Sequence, residues 1–212
     1  MEPAMSPALP KAPAHSQFSR PSSSLIGRLL LTAMNQGHQP LHAWGLKRLV
    51  LRPSDRVLDV GCGGGAAIKR ILRETRREVA GVDHSPAAVD TALRANRAAA
   101  ASGRLRVVEA SVEDLPFRDG FFDAVTAFET TYFWPDIAAG MAEIRRVLPP
   151  GGRLLIANEY ATRSDAGHWA DRLEMTIPDG DHLAGMARQV GFSQVDWDHH
   201  PRRSWLRLVA IA

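Results

Sequence analysis

The sequence predicts an α/β protein built on a doubly wound sheet of seven strands, mostly parallel with the last antiparallel. Three observations carry this. Short apolar stretches suited to buried strands alternate with helical repeats five times between residues 57 and 158. A glycine run, Gly61-Cys62-Gly63-Gly64-Gly65, directly follows the first of them, giving the strand, tight turn and helix of ligand-binding sheets. Two strand-like stretches close the chain with six residues between them. That is too few for a parallel crossover, so they pair as an antiparallel hairpin.

Residues 1–23 are rich in Pro, Ala and Ser and nearly empty of large apolar side chains; they predict a disordered leader. A single domain is expected over 24–212, with a helical cap over 24–51 and the sheet over 55–212. Ile26, Leu29, Leu30 and Ala33 mark one cap helix, and Leu41, Trp44 and Leu49 a second with Pro40 in its first turn. The polar turn between them, which includes His38, is read either as exposed or as a lid over the glycine run. Val57–Val60 is the first strand, followed by a helix carrying Ala67, Ile68, Ile71 and Leu72. Val79–Asp83 is the second, and Ser85 caps the helix after it, with Pro86 at its first position. Leu105–Glu109 and Asp123–Phe128 are strands three and four, joined by a loop. Asp136 caps a helix with Ile137, Met141, Ile144 and Val147 inward, and Arg153–Asn158 is strand five. Beyond it, a short helix over His168–Met175 and a longer one over Asp181–Val190 precede the hairpin strands Gln194–Asp198 and Trp205–Ile211.

Composition narrows the function. The 212 residues are 45% hydrophobic, enough for a substantial core. No apolar run reaches membrane-spanning length, and no secretory signal pattern opens the chain. The single cysteine, Cys62, rules out an internal disulfide and a cysteine zinc cluster; a cytoplasmic location is expected. Net charge is +3, with basic residues scattered rather than clustered, which argues against a nucleic-acid groove. A small-molecule substrate, no membrane partner and a monomer or homodimer are the expectations. His199 and His200 stand near Asp196 and Asp198, but strand neighbours point to opposite faces, so no metal site is expected.

Ligands of such sheets bind at the carboxyl ends of the strands, where strand order reverses. Gly61 and Gly63 stand there, and Gly61, Gly63 and Ala66 formally satisfy a dinucleotide fingerprint. Asp83 ends the second strand, where a carboxylate can accept both hydroxyls of a ribose. Strand four runs into Glu129-Thr130-Thr131-Tyr132-Phe133-Trp134, a carboxylate followed by three aromatics. Aromatic faces beside a carboxylate suit a cationic or aromatic nitrogenous ligand.

An acid two residues before the first glycine, Asp59-Val60-Gly61-Cys62-Gly63-Gly64-Gly65, resembles the first motif of class I S-adenosylmethionine-dependent methyltransferases, of the methyltransferase type 11 kind. Glu109 to Phe117, EASVEDLPF, is similar to their adenine loop, with Ser111-Val112 in place of the usual aspartate. The seven-stranded sheet with an antiparallel last strand is their architecture. MNQGHQPLHAWGL and FETTYFW look similar to a compact bacterial or archaeal subgroup acting on small molecules. The resemblance implies S-adenosyl-L-methionine as cofactor, held by Asp59, Gly61, Cys62, Gly63, Asp83, His84, Ser111, Val112 and the backbone at Phe128. It places substrate contacts at Glu129, Tyr132, Phe133, Trp134, Glu159, His168, Trp169 and Met175. Glu129, with His38 in reserve, would orient the acceptor and take its proton, and the acceptor atom would be nitrogen or oxygen. Two alternatives stand beside this reading: a nicotinamide-dependent reductase, and a non-catalytic cofactor-binding subunit that activates a partner.

Overall fold

The computed structural model describes residues 38–212. The leader and the first cap helix lie outside the described residues. The elements are α1 (Gln39–Leu49), β1 (Val57–Val60), α2 (Ala66–Glu74), β2 (Val79–Asp83), α3 (Pro86–Ala95), α4 (Arg97–Ala101), β3 (Leu105–Glu109), β4 (Ala124–Phe128), α5 (Ile137–Val147), β5 (Arg153–Asn158), α6 (Arg163–Ala166), α7 (His168–Arg172), α8 (Gly180–Gln189), β6 (Ser193–His199) and β7 (Leu206–Ile211).

The strands form one seven-stranded sheet in the order β3-β2-β1-β4-β5-β7-β6. β1 to β5 pair in parallel, while β7 runs antiparallel to both β5 and β6. The expected hairpin is therefore present, and its second strand inserts between β5 and β6. Strand order reverses between β1 and β4, which opens the crevice of such sheets at their carboxyl ends. Among the described residues no helix is long and apolar enough to cross a membrane.

Alternate strand residues feed two cores. Leu58 and Val60 of β1 meet Met141 and Ile144 of α5 and Leu183 and Ala187 of α8. Val57 meets Leu41 of α1, Ile68 and Ile71 of α2 and Ala92 of α3 on the other face. The helix caps follow the sequence signals. Ser85 Oγ accepts from the Ala88 N–H at 3.4 Å, and Asp136 Oδ1 from the Ala139 N–H at 3.0 Å. Two details differ from expectation. A separate short helix, α6, precedes α7 because Thr162 and Asp165 form a reciprocal capping box. α8 starts at Gly180, capped by Asp179, and buries Leu183, Ala184 and Ala187, whereas Met186 and Val190 stay partly exposed.

The seat of α1 decides where His38 stands. Gly45 lets the helix lie directly on the sheet: a Cβ there would fall 2.9 Å from Phe128 Cε1 and 3.3 Å from both Ala157 Cβ and Leu155 Cδ2. Arg207 donates to the Trp44 carbonyl at 2.7 Å, and Arg153 spans the Val50 carbonyl at 2.8 Å and Asp55 Oδ2 at 2.6 Å. These contacts hold the amino end of α1 over the carboxyl ends of β4 and β5. Gly45→Val should lower stability by about 1–3 kcal/mol through overpacking, read as a shift in urea midpoint. An unchanged midpoint would mean that α1 is not seated against Phe128.

Candidate functional site

The turn after β1 is shaped by backbone demands that only glycine meets without strain. Gly61 has φ 66°, and a Cβ on it would lie 2.0 Å from Thr130 Oγ1. Gly63 has φ 50°, yet its absent Cβ would meet nothing within 4 Å, so this side of the turn faces open space. The Gly63 N–H donates to Asp83 Oδ2 at 2.9 Å, and the Ser85 N–H donates to Asp83 Oδ1 at 2.9 Å. The Asp83 carboxylate thus joins the glycine turn to the end of β2. Burial raises its pKa, while the two amides and His84 pull the other way.

Two cavities open on this rim. The first, of about 270 Å³, has Val60, Gly61, Val82, Asp83 and His84 on one side. Ala110, Ser111 and Val112 follow from the loop after β3, and Thr130, Phe133, Trp134 and Pro135 from the turn after β4. The second, of about 190 Å³, is lined by His38, Glu129, Tyr132, Phe133, Glu159, Tyr160, Trp169, Leu173 and Met175. Phe133 borders both. The neighbours Glu129 and Thr130 face different cavities, so one peptide divides them.

The turns after β4 and β5 are tied into one rim. Asn158 Nδ2 donates to Thr131 Oγ1 at 2.8 Å, and both residues are buried. The Tyr132 hydroxyl accepts the Tyr160 N–H at 2.7 Å and donates to the Tyr160 carbonyl at 3.2 Å. The Glu159 N–H donates to Glu129 Oε1. Glu129 holds φ 58°, a left-handed conformation uncommon for a residue with a side chain, and its own N–H donates to the Ala157 carbonyl at 3.0 Å. Burial lifts the Glu129 pKa well above the usual carboxylate range, and the nearby Glu159 charge adds to this against the Glu159 N–H and the Tyr132 hydroxyl. His38 Nε2 lies 3.8 Å from Glu159 Oε2; burial lowers the His38 pKa, and Glu159 offsets part of the drop. One turn along α1, His42 is buried edge-on to Phe128 with ring centroids 4.7 Å apart, and its pKa falls to about 3 through burial, then the charges of His38 and Arg70.

The first cavity gathers Gly61, Asp83, His84, Ser111 and Val112, as expected from the sequence, with Gly63 on the same turn. The second gathers His38, Glu129, Tyr132, Phe133, Glu159, Trp169 and Met175. Four residues stand elsewhere than expected, while Phe128, expected to act through its backbone, ends β4 at the rim. Asp59 is 1% exposed beneath the turn, its Oδ1 accepting from Thr126 Oγ1 at 2.6 Å. Cys62 turns its sulfur to the core beside Gly81, gives its N–H to the Val82 carbonyl and accepts from the Gly65 N–H. Phe128 sends its ring under α1. Trp134 belongs to the first cavity, since its Nε1 donates to Thr130 Oγ1 at 3.2 Å. His168 is exposed, stacked on Trp169 outside the second cavity. Thr130, Tyr160 and Leu173 were missed. The first two adjoin Glu129 and Glu159 in sequence, which was the available signal; Leu173 carried none.

Residues 58–156 match the family model described as a methyltransferase domain, Methyltransf_11. The 24-methylenesterol C-methyltransferase 2 of Oryza sativa subsp. japonica is 31% identical over 156 residues, 68% of this chain and 43% of that protein. This chain spans well under two thirds of the curated relatives first in similarity, from 30% to 56% of their lengths. Among solved structures, a chain in the complex of the Haloferax volcanii Trm112 methyltransferase activator with a methyltransferase superposes with a TM-score of 0.75 at 22% identity, covering 87% of this chain and 96% of that one. Geranyl diphosphate C-methyltransferase from Streptomyces coelicolor, solved with Mg2+, geranyl diphosphate and S-adenosyl-L-homocysteine, gives 0.74 at 16% identity over 94% and 85%. At these identities the likeness speaks for the fold.

Asp59 generates a pH prediction. Burial raises its pKa to about 7, the Thr126 hydroxyl opposes this and the Asp83 charge adds to it. The folded value exceeds the ordinary 3.8, so the folded state binds the extra proton between the two. Stability from this group is fully present below about pH 4 and is lost as pH rises through about 7, by up to roughly 4 kcal/mol. Asp59→Asn should flatten this part of the stability–pH curve measured by urea unfolding. Parallel curves for the two proteins would refute the assignment.

Proposed function

We propose that this chain is a class I methyltransferase that moves the activated methyl group of S-adenosyl-L-methionine onto a small-molecule acceptor at nitrogen or oxygen. The observation that carries the reading is the pair of adjoining cavities that share Phe133. One ends at a carboxylate on β2, and the other ends at two carboxylates and an imidazole.

The residues of the first cavity fit the nucleoside. Each Asp83 oxygen accepts one backbone N–H and keeps a lone pair for a second donor, so vicinal ribose hydroxyls can add to it. Ser111, Val112 and Trp134 offer a slot for the base. The open side of Gly63 allows close backbone approach. Oδ2 of Asp59 is buried without a hydrogen-bond partner among the described residues, and a cationic ligand above the turn would favour its ionised form. Bound there, the cofactor supplies an electrophilic methyl group on a sulfonium.

This chain's own residues then have modest work. The aromatic walls of the second cavity exclude water, which favours a step in which charge disperses. The tied rim holds Glu129 and Glu159 in place, and positioning of that kind supplies about 7–11 kcal/mol in favourable systems. Glu129 orients the acceptor and takes its proton where the acceptor carries one, with His38 as the neighbouring base. We place the enzyme in the cytoplasm, acting as a monomer or homodimer.

Calorimetric titration with S-adenosylhomocysteine and, separately, NADH tests the cofactor. S-adenosylhomocysteine should bind and NADH should not; the reverse would sink the proposal in favour of a reductase. Asp83→Ala should weaken S-adenosylhomocysteine binding by at least ~10-fold, the equivalent of about one charge-assisted hydrogen bond. Once an acceptor is found by its gain of one methyl group in mass spectrometry, Glu129→Gln should cut turnover by ~100-fold or more and leave S-adenosylhomocysteine affinity nearly unchanged. Intact turnover would remove Glu129 from the chemistry.

A further inference from the structure

The second cavity gathers two carboxyl groups and an imidazole, with no lysine or arginine among its lining residues. Glu129, Glu159 and His38 each present a ligand atom, all within 4.8 Å of one another. Among the described residues neither carboxylate is paired with a lysine or an arginine, and the ion-pair partner of Glu159 is His38. Burial favours the neutral form of that imidazole, so it is a poor counter-ion and a weak base. Phe133, Tyr160 and Trp169 supply aromatic faces around the same space.

A neutral hydroxyl ligand would leave the two carboxylates facing each other in a partly desolvated pocket, which is costly. Mg2+ or Ca2+ would balance the charge but takes six or more oxygen ligands, whereas two carboxylates and one imidazole converge here; a four-coordinate ion such as Zn2+ would leave the aromatic walls unused. A cation with several N–H donors and an apolar body satisfies the carboxylates and the aromatic faces together. The cavity, of about 190 Å³, suits a small ligand or the reacting end of a larger one.

We infer that the cavity selects a small primary or secondary amine, seated as an ammonium between Glu129 and Glu159 against the aromatic walls, with Glu129 as the acceptor of its proton. This rests on the methyl-transfer reading above. The bound ammonium gives one proton to the Glu129 carboxylate. Its freed lone pair then forms the nitrogen–methyl bond as the methyl–sulfur bond breaks, and the electron pair of the broken bond stays on sulfur. The product is again an ammonium beside the same two carboxyl groups.

The test uses the full chain saturated with S-adenosylhomocysteine, titrated by calorimetry with phenethylamine and with its neutral counterpart, phenethyl alcohol. The amine should bind at least ~10-fold more tightly, a difference of about 1.4 kcal/mol. Glu159→Gln should erase that preference. The Glu159 side chain is 39% exposed at the rim, so the variant should fold, and unchanged S-adenosylhomocysteine affinity would verify this. Glu129→Gln is the second variant and should act in the same direction. Equal affinity for the two probes, a preference that survives both variants, or displacement of the amine by Mg2+ or Zn2+ would overturn the inference. The heat of S-adenosylhomocysteine binding separates the two readings. Its absence defeats methyl transfer itself, whereas its presence without amine preference defeats only the substrate class.

Discussion

The crevice depends on the contact between Gly61 and Thr130. The missing side chain of Gly61 lets the turn after β1 abut the turn after β4, and any Cβ would collide with the Thr130 hydroxyl. That hydroxyl also accepts from Trp134 Nε1, so the same approach fixes the far wall of the first cavity. Thr130 in turn fixes its neighbour Glu129, which must reverse to φ 58° to reach the second cavity. Strain of this kind costs of order ~1–3 kcal/mol and persists only where its surroundings determine it. Here the Ala157 carbonyl, the Glu159 amide and the Asn158–Thr131 pair do so. A strand-end geometry set by one absent methyl group therefore reaches across two strands to the carboxylates of the second cavity.

Most of the fold was legible because its signals are local. The period of apolar residues marks each strand and helix, Ser85, Asp136 and Pro86 mark helix starts, and a six-residue gap forces the final hairpin. What remained illegible was non-local. The insertion of β7 between β5 and β6 leaves no trace in residue spacing. α6 arises from a capping box too short to show as periodicity. The gathering of the second cavity follows the same rule. His38, Glu129 and Glu159 lie far apart in the chain, and they meet because Gly45 seats α1 over the sheet and because parallel strands end on one side.

Residue type alone could not place the others correctly. Asp59 and Cys62 sit in a motif that invites a ligand, but strand alternation turns Asp59 inward beside Thr126, and Cys62 fills the space left by Gly81. In the run after Glu129, three aromatics look equivalent on paper. A single 3₁₀ turn over Thr131–Phe133 parts them, so Tyr132 and Phe133 reach one cavity while Trp134 folds back to Thr130 in the other. His168 lost its place because α7 directs Trp169, not its neighbour, towards the rim.

Burial raises the pKa of three carboxylates near the crevice, and the donors each one receives oppose that rise to different degrees. Asp83 receives two backbone amides, which hold its charge available at the nucleoside cavity. Asp59 receives one hydroxyl and keeps one oxygen unsatisfied, so its ionisation is delayed to about pH 7. Glu129 has an amide and a phenol against burial and the charge of Glu159, and its pKa stays well above the usual carboxylate range. A positive ligand in either cavity would favour the ionised form of the carboxylates around it, since an opposite charge within a few ångströms lowers a carboxylate pKa. The converse also holds: each carboxylate made to ionise strengthens binding of the cation beside it. With Glu129 and Thr130 adjacent in the chain and each facing a different cavity, binding at one is positioned to prepare the charge state of the other.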